Sequence, residues 1–375
     1  MSLSLPADPP RSRSLTGVVE QSIAALTGSS DWFAPAQSAI VFLVDGLGAH
    51  NLAARRGHAR FLAAAGGRRD VARTVFPSTT AAALTSLLTG SAPGAHGIVG
   101  YRVRIPGTTS APNQLHGWET DGLDPHTWQR RTPLLESHVA SGRDAFVVSR
   151  ASYTGTGFTE ATLRGAAFFS SDDLDERVHL AAALAARHPG SITYLYAPEL
   201  DTAGHRDGWE SDRWTDALEH LDASARRLSE AIDPRTGVVV TADHGMVDVP
   251  ARRHVLLQDG DPLLDEVALI GGEPRMLHLY ATEGHADAVA ARWKHAEAAR
   301  AWVLTREEAV GAGLFGPVDE EVRERIGDVV VAARGRFAYY DDREADKRAQ
   351  RMVGQHGSLT DEERTVPLLR LGAFA

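Results

Sequence analysis

Three aspartates stand where an apolar run hands over to a turn. Asp45 closes SAIVFLVD and is followed by Gly46 and Gly48. Asp201 lies in ELDTAGHRDG, soon after SITYLY, and Asp243 in VVVTADHGM. A carboxylate at such a strand end faces the edge where α/β sheets bind ligands, and the glycines let the backbone turn sharply. His205 follows Asp201 by four residues, so on a helical turn the two share a face. That spacing suits two ligands on one cation, with oxygen and nitrogen donors acceptable to zinc. His244 follows Asp243 directly, and a charged pair after three valines is costly unless compensated. Together the three acidic strand ends point to a shared metal site. Singly, each has a plainer reading: a strand-to-helix cap, a salt-bridged surface turn, a capping network.

Two more segments carry chemistry. In VFPSTTAAALTSLLTGSAPGAHG, Pro77 ends a strand and Ser78, Thr79 and Thr80 open a helix that Gly90 and Pro93 stop. A hydroxyl in a first turn lies beside free backbone N–H groups, which suit a phosphate or oxyanion, although ordinary capping explains the same residues. In GQHGS, His356 sits between Gly354 and Gly357. By itself it is a turn histidine, and His50, His58, His96, His254 and His278 are no worse by composition.

The elements that must position these residues alternate. Strands are expected at 38–45, 71–76, 144–149, 191–196 and 237–241, and helices at 50–65, 80–88, 173–187 and 209–232. Such alternation implies an α/β fold with a mostly parallel sheet covered on both faces. After Val249 the rhythm changes, with strands expected at 275–281, 302–304 and 328–332 and a helix at 285–301. The expected organisation is a core over 1–249, a smaller α+β insert over 250–335 that caps the pocket, and a return to the core over 336–375. The segment 102–135 is a second candidate wall of the pocket. Its Trp118, Trp128, Arg130 and Arg131 would either stack on a base and contact an anion, or pack as a surface loop.

The 375 residues are 43% hydrophobic and 23% charged, which excludes a mostly disordered or fibrous chain. Lys and Arg number 39 against 49 Asp and Glu, for a net charge of −10. An acidic chain is a poor nucleic-acid or anionic-membrane binder, so neither partner is expected. There is no cysteine, so any metal must be held by carboxylates and the 16 histidines. No apolar run approaches the ~20 residues of a membrane span, and the first residues lack the apolar region of a signal peptide, so a cytoplasmic protein is expected.

In this order, VDGLG, FPSTT…LLTG…HGIV, DTAGHRDG, TADHGM and HGS resemble the alkaline phosphatase superfamily. Within it they look most like the nucleotide pyrophosphatase/phosphodiesterase (type I phosphodiesterase) family, over about 38–369. The resemblance implies an alkaline phosphatase-like fold and two divalent metal ions, with zinc expected and manganese open. Asp201, His205 and His356 would hold one metal, and Asp45, Asp243 and His244 the other. Thr80 matches the nucleophile, which also meets the metals; Thr79 is the adjacent alternative and Ser78 a more distant one. Three carboxylates and a threonine alkoxide would balance two divalent cations, which lower the hydroxyl pKa. The implied function is metal-dependent hydrolysis of phosphate diesters or pyrophosphates, on a small phosphorylated substrate, through a threonyl-phosphate intermediate. A phosphomonoesterase, phosphonate hydrolase or phosphomutase of the same superfamily is the alternative, and a silent metal- or phosphate-binding protein the non-enzymatic one. The chain departs from the pattern twice. Tyr101 stands where an Asn often contacts a phosphate oxygen, and Ala81, Ala82 and Ala83 follow the nucleophile in place of aromatic and polar residues.

Overall fold

The computed structural model describes residues 4–375. Every residue of the strand Ser38–Val44 is buried, because both faces of its sheet are covered. Ala39, Val41 and Leu43 enter one apolar core, and Ile40, Phe42 and Val44 the other. That two-sided burial is why the run reads as continuously hydrophobic.

In chain order the strands are β1 (Arg13–Ser14), β2 (Ser38–Val44), β3 (Val71–Arg73), β4 (Ala145–Ser149), β5 (Ala167–Ser170), β6 (Ile192–Ala197), β7 (Thr236–Thr241) and β8 (Val247–Asp248). There follow β9 (His254–Leu257), β10 (Val267–Glu273), β11 (Met276–Ala281), β12 (Ala301–Thr305), β13 (Val329–Ala333), β14 (Ala338–Asp341), β15 (Gly354–Gln355) and β16 (Thr365–Gly372). The main sheet runs β1-β3-β16-β7-β2-β6-β4-β5. All neighbours are parallel except β16, which is antiparallel to β3 and β7. This is the mostly parallel α/β sheet that the sequence implies.

A second, antiparallel sheet runs β10-β11-β13-β12. The helix Ala286–Glu297 covers it with Val289, Ala290 and Trp293, against Leu279, Val329 and Val331. β14 pairs with β9, and β15 with β8. The expected helix over 50–65 is two helices, Ala49–Ala54 and Arg60–Ala64. Gly57 lies in the break, and the Asp222 carboxylate accepts from the Phe61 and Leu62 N–H groups at 3.2 and 2.8 Å, capping the second helix from across the fold. No helix among the described residues is long and apolar enough to cross a membrane.

One buried ion pair ties the second sheet to the main one. Arg275, in the turn just before β11, donates to both Glu363 oxygens at 2.8 and 2.7 Å, with both side chains fully buried. Removing one partner strands the other charge, which costs ~3–5 kcal/mol, whereas replacing both with apolar residues of similar volume is often near neutral. Arg275→Met is therefore expected to lower unfolding free energy by about that amount in denaturant titration, and Arg275→Met with Glu363→Leu to recover only part of it, since the Gly335 and Phe337 carbonyls and the Ser358 N–H also lose their partners. A single variant as stable as the parent would contradict this.

Candidate metal centre and nucleophile

The strands β7, β2 and β6 lie side by side and parallel, with Leu43 level with Thr241 and Val44 with Ala197. Their carboxyl ends therefore coincide, and the chain leaving each brings Asp243, Asp45 and Asp201 to one place. Asp201 lies in the first turn of the helix Glu199–Asp207, which carries His205 one turn on. His356 arrives from the turn after β15, which pairs with β8 just beyond His244. Thr80 is the first residue of the helix Thr80–Thr89.

Two groups of ligand atoms result. His244 Nε2 lies 3.4 Å from Asp45 Oδ1 and 3.3 Å from Asp243 Oδ2. His205 Nε2 lies 3.3 Å from Asp201 Oδ1 and 3.2 Å from His356 Nε2, which is itself 3.8 Å from Asp201 Oδ1. His244 also belongs near the second group, since it, Asp201 and His356 place ligand atoms within 4.8 Å of one another. The His244 and His356 rings stack at 3.4 Å. All six residues picked out in the sequence thus meet. Thr80 joins them, its Oγ1 3.1 Å from His244 Nε2.

The donor set fits divalent cations. Asp45 Oδ1, Asp201 Oδ1 and Asp243 Oδ2 are buried and have no hydrogen-bond partner. Orphaned buried carboxylate oxygens are costly unless a cation completes them. Each histidine turns Nδ1 to a backbone carbonyl: His205 to Gly354 at 2.8 Å, His356 to Ser78 at 2.9 Å and His244 to Gly245 at 3.2 Å. A neutral ring that donates from Nδ1 keeps the Nε2 lone pair for a metal, the usual supporting arrangement of histidine ligands. Asp45 Oδ2 accepts from the Tyr196 hydroxyl, and Asp243 Oδ1 from the N–H groups of Gly46 and His244 at 3.2 and 3.0 Å.

Electrostatics agree. Burial, then Asp243 and Asp201, push the Asp45 carboxyl well above the carboxylate range. Burial also raises the Asp243 carboxyl. Burial, then His244 and His356's other neighbour His205, hold His356 well below its ordinary value. Carboxyls raised beside an imidazole lowered is what a ligand cluster shows without its cations.

Thr79 and Thr80 separate cleanly. Thr80 faces His244, while the buried Thr79 hydroxyl lies on the side of Glu273. Thr79 is the N-cap by backbone only; its side chain accepts nothing from the first turn, which leaves those N–H groups to a ligand. Tyr101 is partly buried, and its hydroxyl lies by Asn113, with Glu273, Arg102 and Arg348 also near. The four residues of the 102–135 segment are packing groups. Trp118 and Trp128 are buried and donate to Gln114, with the Arg325 guanidinium over the Trp128 ring. Arg130 and Arg131 pair with Glu321 and Asp319.

Sequence reasoning missed Tyr196, whose hydroxyl donates to Asp45 Oδ2. Tyr194 and Tyr196 alternate in a buried strand that ends at the site, a signal available but unused.

Residues 39–359 match the family of type I phosphodiesterases/nucleotide pyrophosphatases. The chain belongs to that family. It is a hydrolase of the phosphodiesterase/nucleotide pyrophosphatase type. The fold is shared with murine ectonucleotide pyrophosphatase/phosphodiesterase 5, at a TM-score of 0.70 and 19% identity over 90% of this chain and 88% of that one. The human counterpart gives the same values. Phosphonoacetate hydrolase from Sinorhizobium meliloti 1021 gives a TM-score of 0.68 and 20% identity, over 90% and 91%.

Proposed function

We propose that this family member hydrolyses small phosphate diesters or pyrophosphates with Thr80 as nucleophile and two divalent cations, zinc first among them. The observation that carries the reading is the meeting of three unpartnered carboxylate oxygens, three histidine Nε2 atoms and the Thr80 hydroxyl. Asp45, Asp243 and His244 would hold one cation and Asp201, His205 and His356 the other. When bound, the cations would supply Lewis acidity, polarising a phosphoryl oxygen and lowering the pKa of the Thr80 hydroxyl.

The chain's own residues do the rest. Thr80 Oγ1 forms a bond to phosphorus as the bond to the leaving oxygen breaks, and the leaving group departs as the alcohol or phosphate. The free N–H groups of the first turn receive a non-bridging oxygen. Water then attacks the threonyl phosphate and releases the hydroxyl. An inactive threonine-to-alanine variant of the murine relative is known in complex with AMP, which supports a threonine in this role and a nucleotide-sized ligand. Phosphonoacetate hydrolase is known in complex with phosphonoacetate, which keeps a phosphonate substrate as the second reading. Parallel rates on an aryl phosphate diester, an aryl monoester and phosphonoacetate test the choice. The diester is expected fastest; phosphonoacetate turned over fastest would overturn it.

Tyr101 stands in this reading on the substrate side, as a donor toward the phosphoryl group. One preorganised donor is worth ~10²–10³ in kcat, less where cations share the load. Tyr101→Phe is expected to lower kcat about tenfold with the melting temperature unchanged. Unaltered kinetics would assign the ring to packing.

A further inference from the structure

Asp45 leaves β2 into a turn that holds two glycines: Gly46, in the left-handed region at φ 74°, and Gly48, the N-cap of the helix Ala49–Ala54. Glycines give such a turn little stiffness of its own. The pose of Asp45 against Asp243 and His244 therefore depends on what holds the turn from outside. Asp243 supplies one tie, accepting from the Gly46 N–H. Asn51, one turn into the helix and buried, supplies the other. Its amide donates to the Met246 carbonyl at 3.1 Å, and its side-chain oxygen accepts from the Met246 N–H at 3.2 Å. Both ends of the carboxamide are thus spent on one backbone position, three residues past Asp243 and two past His244.

The two chain segments touch where this clamp closes. A Cβ on Gly48 would strike the Asn51 side-chain oxygen and come within 2.7 Å of the Gly245 Cα. Met246 is itself anchored. The Gly245 N–H donates to the Glu363 carbonyl at 2.9 Å, and the buried Met246 sulfur fills the space against Gly204 and Gly354, where an added Cβ would meet it. Gly204 lies between Asp201 and His205, and Gly354 two residues before His356. Met246 is therefore packed against the segments that carry five of the six candidate ligands. Asn51 ties the segment of the sixth, Asp45, to that body.

We propose that Asn51 is a positioning residue for the cation assigned to Asp45, Asp243 and His244, setting the turn after β2 so that Asp45 Oδ1 stands opposite Asp243 Oδ2 and His244 Nε2. This rests on the two-cation reading above. With the clamp open, the glycine turn must be ordered when the cation binds rather than before, and affinity falls by that cost. Asp201, His205 and His356 keep their own supports, so the other cation is spared.

The test titrates zinc, in competition with a chromophoric chelator, into the metal-stripped full chain and its Asn51→Ala, Gly48→Ala and Asp222→Ala variants. The melting temperature of each stripped protein and its rate on bis(4-nitrophenyl) phosphate are measured alongside. Gly48→Ala wedges the clamp open with Asn51 intact, at backbone angles that suit alanine, and carries the test if Asn51→Ala does not fold. Asp222→Ala is the control: it also loses two hydrogen bonds to backbone across the fold, but at Phe61 and Leu62, away from the ligands. Asn51→Ala and Gly48→Ala are expected to weaken one zinc ~10–100-fold, the usual cost of removing an outer support of a ligand, and to leave the other at the parent's affinity. Asp222→Ala is expected to lower the melting temperature with both affinities kept. In Asp45→Asn, which lacks a ligand of the affected cation, adding Asn51→Ala should leave the remaining zinc unchanged. Both zinc ions weakened alike, or neither weakened, would overturn the proposal and leave Asn51 an ordinary buried asparagine. Should the parent bind zinc without diesterase activity while the selective loss holds, the reaction assigned above fails and the positioning role stands.

Discussion

Thr80→Ala is expected to lose at least ~10⁴ in turnover while keeping its fold and metal content. Removing the attacking atom of a covalent mechanism costs several orders of magnitude, because the remaining machinery supplies only binding and electrostatics. Among the described residues, Thr80 Oγ1 alone among hydroxyls lies in hydrogen-bond reach of a candidate ligand's Nε2, at 3.1 Å from His244. Its loss should cost at most about 1 kcal/mol, the usual scale for a short polar side chain at a helix start. Thr79→Ala serves as the neighbour control, since that hydroxyl lies by Glu273 instead. Steady-state rates on a diester and elemental analysis of both variants decide. An active Thr80→Ala beside a dead Thr79→Ala would move the nucleophile by one residue, and two active variants would remove the threonyl intermediate.

Stripping the cations with a chelator should abolish activity and also destabilise the fold. The six candidate ligands crowd three carboxylates and three imidazoles into one mostly buried place, and cations that offset this would bind only the folded chain. At a thousandfold excess over Kd such binding stabilises by about 4 kcal/mol. The chelated protein should therefore melt at a lower temperature, and zinc should restore both properties. Its stability should also fall on both sides of a pH optimum. Asp45 is raised in the folded state, so the unfolded chain gives up that proton first, and stability falls as pH rises above the ordinary carboxylate range. His356 is lowered in the folded state, so the unfolded chain binds the proton first, and stability is lost as pH falls below the ordinary imidazole value. Calorimetry across pH with and without zinc reads both slopes. A melting curve indifferent to the chelator would contradict the ligand set.

The site was legible where chemistry coincides with a strand end. Asp45, Asp201 and Asp243 are legible together, because three carboxylates after buried β-runs converge only if the strands are neighbours, and β7, β2 and β6 do lie side by side. His356 was not distinguishable locally from His96 or His278. Those two prove to be packed histidines, bonded to Ser86 and to the Val99 carbonyl, while His356 acquires its partners from Asp201 and His205, far away in sequence. The single helix expected over 50–65 failed because Asp222 caps a new start at Phe61 and Leu62, a signal with no local trace. Trp118 and Trp128 looked available to a base in sequence, and their common partner Gln114 takes both indole N–H groups instead.

The most direct test of the two-cation phosphodiesterase reading is elemental analysis of the purified chain alongside its diester turnover, with chelated and zinc-restored samples measured together. Two transition-metal ions per chain are expected, with turnover rising and falling with their occupancy. Fewer than one ion per chain at full activity would contradict the reading.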